Sequence, residues 1–400
     1  MTVTLEIQKT VYGGDGLGRL GDGRVCFVSG AYAGETVKAE IVEQRKRFVR
    51  ARLVEILQPI PDRLSSDSIG PVVPGMVYHD VSHSAELRFK QDQLENFLWK
   101  VEPQVLPLEV VPAERVINYR AKATYHAQRS GDKWLFGYRR EMSHDVVDIK
   151  EDPLARPEIN AALPKVRAGV MALLTQGAAG VRRAAAAEDV TVRWTQIDGV
   201  KWWLGSPQPG LELHEQTCGM RFVVPGDGFY QVNPEIGEKL AATVRDAYLS
   251  GAEDAPNILD LYCGVGVFGL VCMKNVKNEA RLVGIESGRA AIAAAKANAA
   301  AAGIPANFFC ERVGASLGRI KIGPRHTVIL DPPRGGLEPN VAPWLAKRPA
   351  PRVFYVSCDP ATLTRDLQAL SPAYRIVRVK LFDMFPRTAR FETFVELAHR

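Results

Sequence analysis

The thiol of Cys358 is the position in this chain best placed for covalent chemistry. It lies in Val356-Ser357-Cys358-Asp359-Pro360-Ala361-Thr362-Leu363-Thr364-Arg365-Asp366-Leu367. Arg352 to Ser357 is an apolar, β-branched and aromatic run of strand length, and Asp359-Pro360 reads as a helix N-cap followed by proline in the first turn. The cysteine is therefore expected between the carboxyl end of a strand and the amino end of a helix. The positive end of a helix dipole favours thiolate, the nucleophilic form. A cysteine taken singly is more often a small buried hydrophobe, so the other strand ends decide the matter.

Asn257 to Tyr262 (NILDLY) is a buried-strand pattern running into Cys263-Gly264-Val265-Gly266-Val267-Phe268-Gly269, whose glycines fit G-x-G-x-x-G at the opening of a helix. RLVGIE follows and ends at Glu286, about 20 residues on, where a carboxylate can accept hydrogen bonds from ribose hydroxyls. Asp331-Pro332-Pro333-Arg334-Gly335-Gly336 ends the fourth strand and the cysteine loop ends the fifth. With ANFFCE, HTVILD, RIVRVKL and FETFVEL as further strands, the alternation predicts a doubly wound, mostly parallel sheet. Its carboxyl edge, where ligands bind, then gathers all of these motifs. The glycine fingerprint suits both nicotinamide and S-adenosylmethionine (SAM) enzymes. The Asp-Pro-Pro and cysteine loops favour SAM.

The rest of the chain must carry that edge to a substrate. At 400 residues, two or three domains are expected. A net charge of +6 suits a polyanion without establishing one. Thr2 to Leu57 alternates short β-rich runs with glycine turns, which predicts a small OB-like β-barrel, and Lys38, Arg45, Lys46, Arg47, Arg50, Arg52 and Phe48 crowd its later strands. Basic residues beside an aromatic suit RNA. Pro59 to Pro74 marks a linker, and Ser84 to Val101 a helix buried along Leu87, Leu94, Phe97 and Leu98. Glu109 to Phe222 reads as a central α+β domain with a helix near Glu158 to Leu174, an alanine-rich stretch from Arg182 to Glu188, and a basic edge of Arg120, Lys122, Arg129, Lys133, Arg139, Arg140 and His144. A helical pattern through Leu249 follows Phe229-Tyr230-Gln231-Val232-Asn233-Pro234. The expected division is 1–58, 59–228 and 229–400. Six scattered cysteines without a CxxC pair argue for a reducing compartment and against zinc, and the N-terminal residues resemble no signal peptide, so a cytoplasmic monomer is the expectation.

Together, FYQVNP, DLYCGVGVFG, VGIE, ILDPPRGG and VSCDPATLTRDL resemble the motifs of the SAM-dependent RNA (uracil-C5)-methyltransferases, and the opening barrel resembles their TRAM domain. The resemblance covers nearly the whole chain. It implies a C-terminal Rossmann-like class I methyltransferase domain, with Cys358 as the nucleophile that adds to C6 of uracil. It implies that Glu392 is the base that removes the C5 proton, with Glu396 as its nearest competitor. It implies a SAM pocket of Gln231, Tyr262, Glu286 and Asp331, and structured RNA as partner, ribosomal RNA ahead of transfer RNA.

Four positions depart from the pattern. Arg390 and Phe391 replace the usual His-Val before the base, Val267 stands where relatives often carry a polar residue, and Arg312 where an acid often contacts adenine. The cysteines that bind an iron-sulfur cluster in many relatives are missing: Ser65 to His79 has none, and Asp152 precedes Pro153-Leu154. Such a cluster needs thiolates, so no metal is expected. Two alternatives stay open: an RNA-binding assembly factor with a degenerate methyltransferase domain, and a nicotinamide-dependent oxidoreductase with an appended barrel.

Overall fold

The structure is a computed structural model that describes residues 1–65, 67, 69–103, 107–140, 143–175, 188–274, 276 and 280–400. Strands β1 (Thr2–Thr10), β2 (Gly16–Arg19), β3 (Val25–Ser29), β4 (Thr36–Gln44) and β5 (Phe48–Gln58) close into a barrel in the order β1-β2-β3-β5-β4. Leu5, Ile7, Val28, Val37, Ala39, Val49 and Ala51 fill it, as period-two alternation requires. The β1–β2 glycines take the left-handed values that a hairpin turn needs, φ 110° at Gly13 and 95° at Gly14. On the later strands Arg45, Arg50 and Arg52 pair with Glu43, Asp15 and Glu40, while the Arg50 guanidinium also lies about 6 Å from the Phe27 and Phe48 rings. The later strands thus present arginines paired with acids beside two phenylalanine rings.

Next come α1 (His83–Leu98), β6 (Glu109–Val111), β7 (Lys122–Ser130), β8 (Lys133–Arg139), β9 (Val146–Asp148), α2 (Pro157–Thr175), β10 (Glu188–Thr195), β11 (Gly199–Leu204), β12 (Glu212–Thr217) and β13 (Met220–Pro225). An antiparallel sheet in the order β11-β10-β7-β8-β9 packs against α2 through Tyr125, Phe136, Val190, Val192, Leu163 and Val166. Of the alanine-rich stretch, all but Glu188 lies outside the described residues. Of the seven residues of the expected basic edge, Arg129, Lys133, Arg139, Arg140 and His144 are exposed, whereas Arg120 and Lys122 are drawn partly inward.

Asp152 is buried in this unit. Its carboxylate accepts from Tyr125 Oη at 3.0 Å, Tyr138 Oη at 2.6 Å and the Leu154 amide at 2.9 Å. A buried charge is tolerated when it is hydrogen-bonded this fully.

The final stretch contains α3 (Pro234–Leu249), β14 (Asn257–Leu261), α4 (Val267–Met273), β15 (Leu282–Glu286), α5 (Arg289–Ala302), β16 (Ala306–Cys310), α6 (Val313–Ser316), β17 (His326–Leu330), α7 (Val341–Lys347), β18 (Arg352–Ser357), α8 (Pro360–Leu370), β19 (Tyr374–Phe382) and β20 (Glu392–His399). The sheet runs β16-β15-β14-β17-β18-β20-β19-β6, parallel through β18, with β20 antiparallel to both β18 and β19. Strand residues alternate between two apolar clusters: Ile329, Phe354 and Val356 face α3, α4 and α5, while Val328, Leu330, Val353 and Tyr355 face α1, α7 and α8. Helix α1 and strand β6, both within residues 59–228, therefore belong spatially to this sheet. The buried face of α1 also differs from expectation. Ala85, Glu86, Phe89, Lys90, Gln93, Leu94 and Leu98 are buried, whereas Leu87 and Phe97 are only partly covered. Glu86 and Lys90 turn inward to ionic partners, and Gln93 to the Thr10 carbonyl and the Tyr78 hydroxyl.

Removing the Asp152 carboxylate strands two phenol hydroxyls. Asp152→Ala should cost about 2–4 kcal/mol and lower the melting temperature by roughly 5–10 °C. A calorimetric shift below about 1 °C would deny Asp152 this role.

Candidate active site

Register alone brings the strand ends together. Leu261 pairs with both Ile285 and Leu330, so Tyr262, Glu286 and Asp331 follow at adjacent positions. Ser357 pairs with Thr393, which sets Cys358 and Glu392 side by side at the end of β18 and the start of β20. The cysteine turn is built as the sequence implies. Ser357 Oγ donates to the Asp359 carbonyl at 3.1 Å, and the Asp359 carboxylate caps α8 by accepting from the Ala361 and Thr362 amides, each at 3.0 Å. Thr362 Oγ1 then donates to the Arg334 carbonyl at 3.3 Å, tying this turn to the Asp-Pro-Pro loop. Gly336 needs its lack of a side chain: at φ 75° a Cβ would run into Arg365 and Asp366. Asp366 itself accepts from the Leu337 amide at 2.8 Å and Tyr355 Oη at 2.7 Å.

The segment that leads to Glu392 is anchored on α1 by an ionic link that the sequence did not show. Lys90 Nζ, fully buried, donates to Glu86 Oε1 and Asp383 Oδ1, each at 2.7 Å, and to the Phe385 carbonyl at 3.2 Å. Arg387, strained at φ 66°, donates its amide to Glu86 Oε1 at 2.7 Å and its guanidinium to the Tyr78 and Val81 carbonyls. Burial works against the Lys90 charge, but Asp383 and Glu86 more than offset it and hold the ammonium ionised. The only signal in sequence was a Glu-to-Lys spacing of four, which on most helices marks a solvent-facing pair. Glu396, the competing base, is clamped between Arg352 at 2.6 Å and Arg378 at 2.5 Å and pairs in register with Phe354, further down β18 from Cys358. Its lone pairs are committed.

The electrostatics correct one expectation. The helix dipole was expected to favour thiolate at Cys358, yet its thiol is pushed up to about 11. Burial is the largest cause, Glu392 and Asp331 add repulsion, and Arg334 opposes. Asp331 is pushed up to about 7 by burial and by Glu286, and Asp260 to about 8 by burial with help from Asp331 and Glu286. Glu392 is raised well above the carboxylate range, by burial first and Asp331 second. A half-charge at a helix end does not outweigh desolvation plus several acids.

Tyr262 and Glu286 end their strands on this edge, whereas Gln231 is placed only by its contact with α3. Gln231 lies against α3, where a Cβ at Gly237 would come within 2.9 Å of it. Tyr262, at φ 66°, accepts at its hydroxyl from the Glu338 amide at 3.3 Å. Glu286 Oε1 accepts from Ser287 Oγ at 3.0 Å and the Gly288 amide at 2.7 Å. Val267 begins α4 and packs on the core. Arg312 pairs with Glu338 at 2.9 Å, so an acid still occupies this corner, supplied from the Asp-Pro-Pro loop. Asp260, which sequence reasoning overlooked, is buried; its Oδ2 accepts from the Gly269 amide at 3.0 Å, while Oδ1 has no partner among the described residues. At Gly264, φ 53°, a Cβ would meet open space. An open glycine turn, an unused buried acceptor and acids in want of a cation fit SAM, which carries a positive sulfonium and an ammonium. A separate cavity of about 770 Å³, lined by Leu259, Val283, Phe309, Arg319 and Arg325, lies away from Cys358.

Residues 210–400 match the family described as tRNA (Uracil-5-)-methyltransferase, and residues 1–54 match the TRAM domain. An RNA methyltransferase of Thermotoga maritima is 30% identical over 99% of both chains. A 23S rRNA (uracil(1939)-C(5))-methyltransferase of Hahella chejuensis is 30% identical over 98% of this chain and 96% of its own. Among solved structures, a Pyrococcus abyssi tRNA (uracil-54, C5)-methyltransferase in complex with S-adenosyl-L-homocysteine superposes with a TM-score of 0.75 at 22% identity, covering 99% of each chain.

With its thiol near 11, Cys358 in the ligand-free protein should alkylate with iodoacetamide slowly at neutral pH. Its rate should rise about tenfold per pH unit to pH 10, measured by mass spectrometry in a Cys310→Ser background because Cys310 is also exposed. A rate already at plateau by pH 7 would contradict this burial. Glu392 binds its proton more tightly folded than unfolded, so it costs stability as pH rises above its unfolded value. Glu392→Gln removes that cost. Its melting temperature relative to the parent should rise by about 1–3 °C between pH 5 and pH 8, and a fall over that interval would reverse the assigned sign.

Proposed function

The chain belongs to the tRNA (uracil-5-)-methyltransferase family of SAM-dependent RNA methyltransferases and carries a TRAM domain, and on that premise we propose that it methylates C5 of a uridine in ribosomal RNA through a covalent Cys358 adduct. The observation that carries the reading is the side-by-side register of Cys358 and Glu392 at the edge that also holds Asp331. Uracil C5 is too weak a nucleophile to take a methyl group unaided. Cys358 supplies the missing activation.

Asp331, poised near neutrality, takes the thiol proton. The sulfur bonds C6 of the ring, and the C5=C6 electron pair becomes an enolate. When bound, SAM supplies an electrophilic methyl group, which C5 accepts. Glu392, having released its own proton to solvent, removes the C5 proton. The C5–H electron pair re-forms the C5=C6 double bond as the C6–S bond breaks and Cys358 departs as thiolate, which recovers the proton held by Asp331. Glu392 begins protonated and the thiol neutral, and a positive charge in the crevice favours the ionised form of both.

Gln231, Tyr262, Glu286 and Asp331 would border the cofactor in a Rossmann-like class I methyltransferase domain, with Asp260 Oδ1 available to its ammonium. The domain division 1–58, 59–228 and 229–400 stands as a proposal, with α1 and β6 packed on the third unit. Ribosomal RNA is favoured over transfer RNA by the 23S rRNA relatives, which align over nearly the whole chain. The target base must be unpaired or flipped, since a stacked ring hides both its faces.

The test uses transcripts of large-subunit ribosomal RNA and transfer RNA made with 5-fluorouridine, incubated with protein and SAM. Fluorine cannot leave as a proton, so a denaturation-resistant adduct should accumulate on the ribosomal transcript. Cys358→Ala should form none. An adduct with the variant would refute the nucleophile, and no methylation by the parent on either transcript would leave only the assembly-factor reading.

A further inference from the structure

Tyr12 brings the barrel against the segment that leads into Glu392. Tyr12, in the turn between β1 and β2, sits edge-on to Phe391 at 5.8 Å and to Phe97 of α1 at 6.0 Å. Its hydroxyl meets Arg390 Nη1 at 3.4 Å. Arg390 and Phe391 are the two residues immediately before Glu392, and both depart from the family's usual His-Val. The departure is thus paired in space: each replacement touches the same tyrosine. Burial pushes the Tyr12 hydroxyl up to about 12, and the charges of Arg390, Asp359, Cys358 and Arg334 also act on it, so it stays a hydrogen-bond donor beside the thiol. Tyr12 and Arg390 remain partly exposed, and Arg390 makes no ion pair among the described residues.

We infer that Tyr12 and Arg390 form one wall of the pocket for the target nucleotide, with the Tyr12 ring flanking the flipped base and the Arg390 guanidinium meeting an adjacent phosphate. An aromatic face beside a guanidinium without an ionic partner is the pairing that single-stranded RNA uses. The barrel then does more than hold RNA at a distance. It contributes a side chain of its own to the pocket. Phe391 fixes the ring's tilt from within the core.

This rests on the uridine-C5 reading, and the experiment separates the two. Methyl transfer from SAM to the large-subunit ribosomal transcript is measured for the parent, Tyr12→Ala, Tyr12→Phe and Arg390→Met. Misplacing a reactive nucleotide by about 1 Å can cost about 100-fold, so Tyr12→Ala should lower kcat by about that factor. Arg390→Met should lower it by about tenfold, and Tyr12→Phe, which keeps the ring, by only about threefold. SAM affinity should stay at the parental value in every variant. Arg390→Met loses a phosphate contact and some RNA affinity, and Tyr12→Ala loses ring packing and some melting temperature, but the fall in kcat should persist at saturating RNA and at temperatures where each variant is folded. If Tyr12→Ala and Arg390→Met keep the parental kcat, or lose only KM or thermal stability, Tyr12 merely docks the barrel and the inference fails. If the parent methylates neither this transcript nor transfer RNA, the uridine reading fails and takes this one with it.

Discussion

The burial of several acids along one sheet edge, with their mutual repulsion added to it, is the constraint that the rest of this structure must accommodate. Asp260, Asp331, Glu392 and Cys358 all hold their protons more tightly than they would in water, because each is desolvated and has an acid for a neighbour. Arg334 is the cation that opposes this at both Cys358 and Glu392. Such an edge is costly to fold, and the cost is what a positively charged ligand would relieve. The apolar layers on the two faces of the sheet must therefore be strong enough to carry it. They are: the two clusters hold the strands through fully buried side chains such as Val328, Ile329, Phe354 and Tyr355.

The same edge explains why chemistry here needs two loops and not one. The Cys358 turn is capped by Asp359, and the Asp-Pro-Pro loop is pinned by Asp366, and Thr362 links the two. Neither loop could move without breaking a hydrogen bond of the other. Sites on rigid elements hold reacting groups more closely than free loops do, and here strand register supplies the rest.

Much of this was legible in the sequence. The strand-turn-helix units around Gly264, Asp331 and Cys358 obey local rules of periodicity, capping and turn chemistry, so their placement followed from residues close by. Strand ends likewise gather automatically in a parallel sheet. What was not legible depends on distance. The raised thiol of Cys358 comes from Glu392 and Asp331, which are remote in sequence, and a dipole argument confined to the local helix had the sign wrong. Lys90 and Glu86 look like a solvated pair until Asp383 is placed against them from almost 300 residues away. Asp260 was hidden by its own strand, reading as one polar residue within an apolar run. The Arg312 departure, which seemed to remove an acid, is answered by Glu338 from another loop.

The buried Lys90 cluster then bears on how the halves of the molecule cooperate. A buried ion pair gives little net stability over an apolar substitute, but losing one partner strands a charge at a cost of about 3–5 kcal/mol. Such a cluster therefore discriminates strongly against misalignment while contributing modestly to folding. Here it joins α1 to the segment from Asp383 to Arg387, and the strained Arg387 backbone persists because Glu86, Tyr78 and Val81 all hold it. Five residues later the chain presents Glu392. Tyr78 also packs on Tyr32 of the barrel region, where Arg63 bridges Glu35 and Asp80. The barrel, the linker, α1 and the segment leading to Glu392 are thus joined by neighbouring polar contacts.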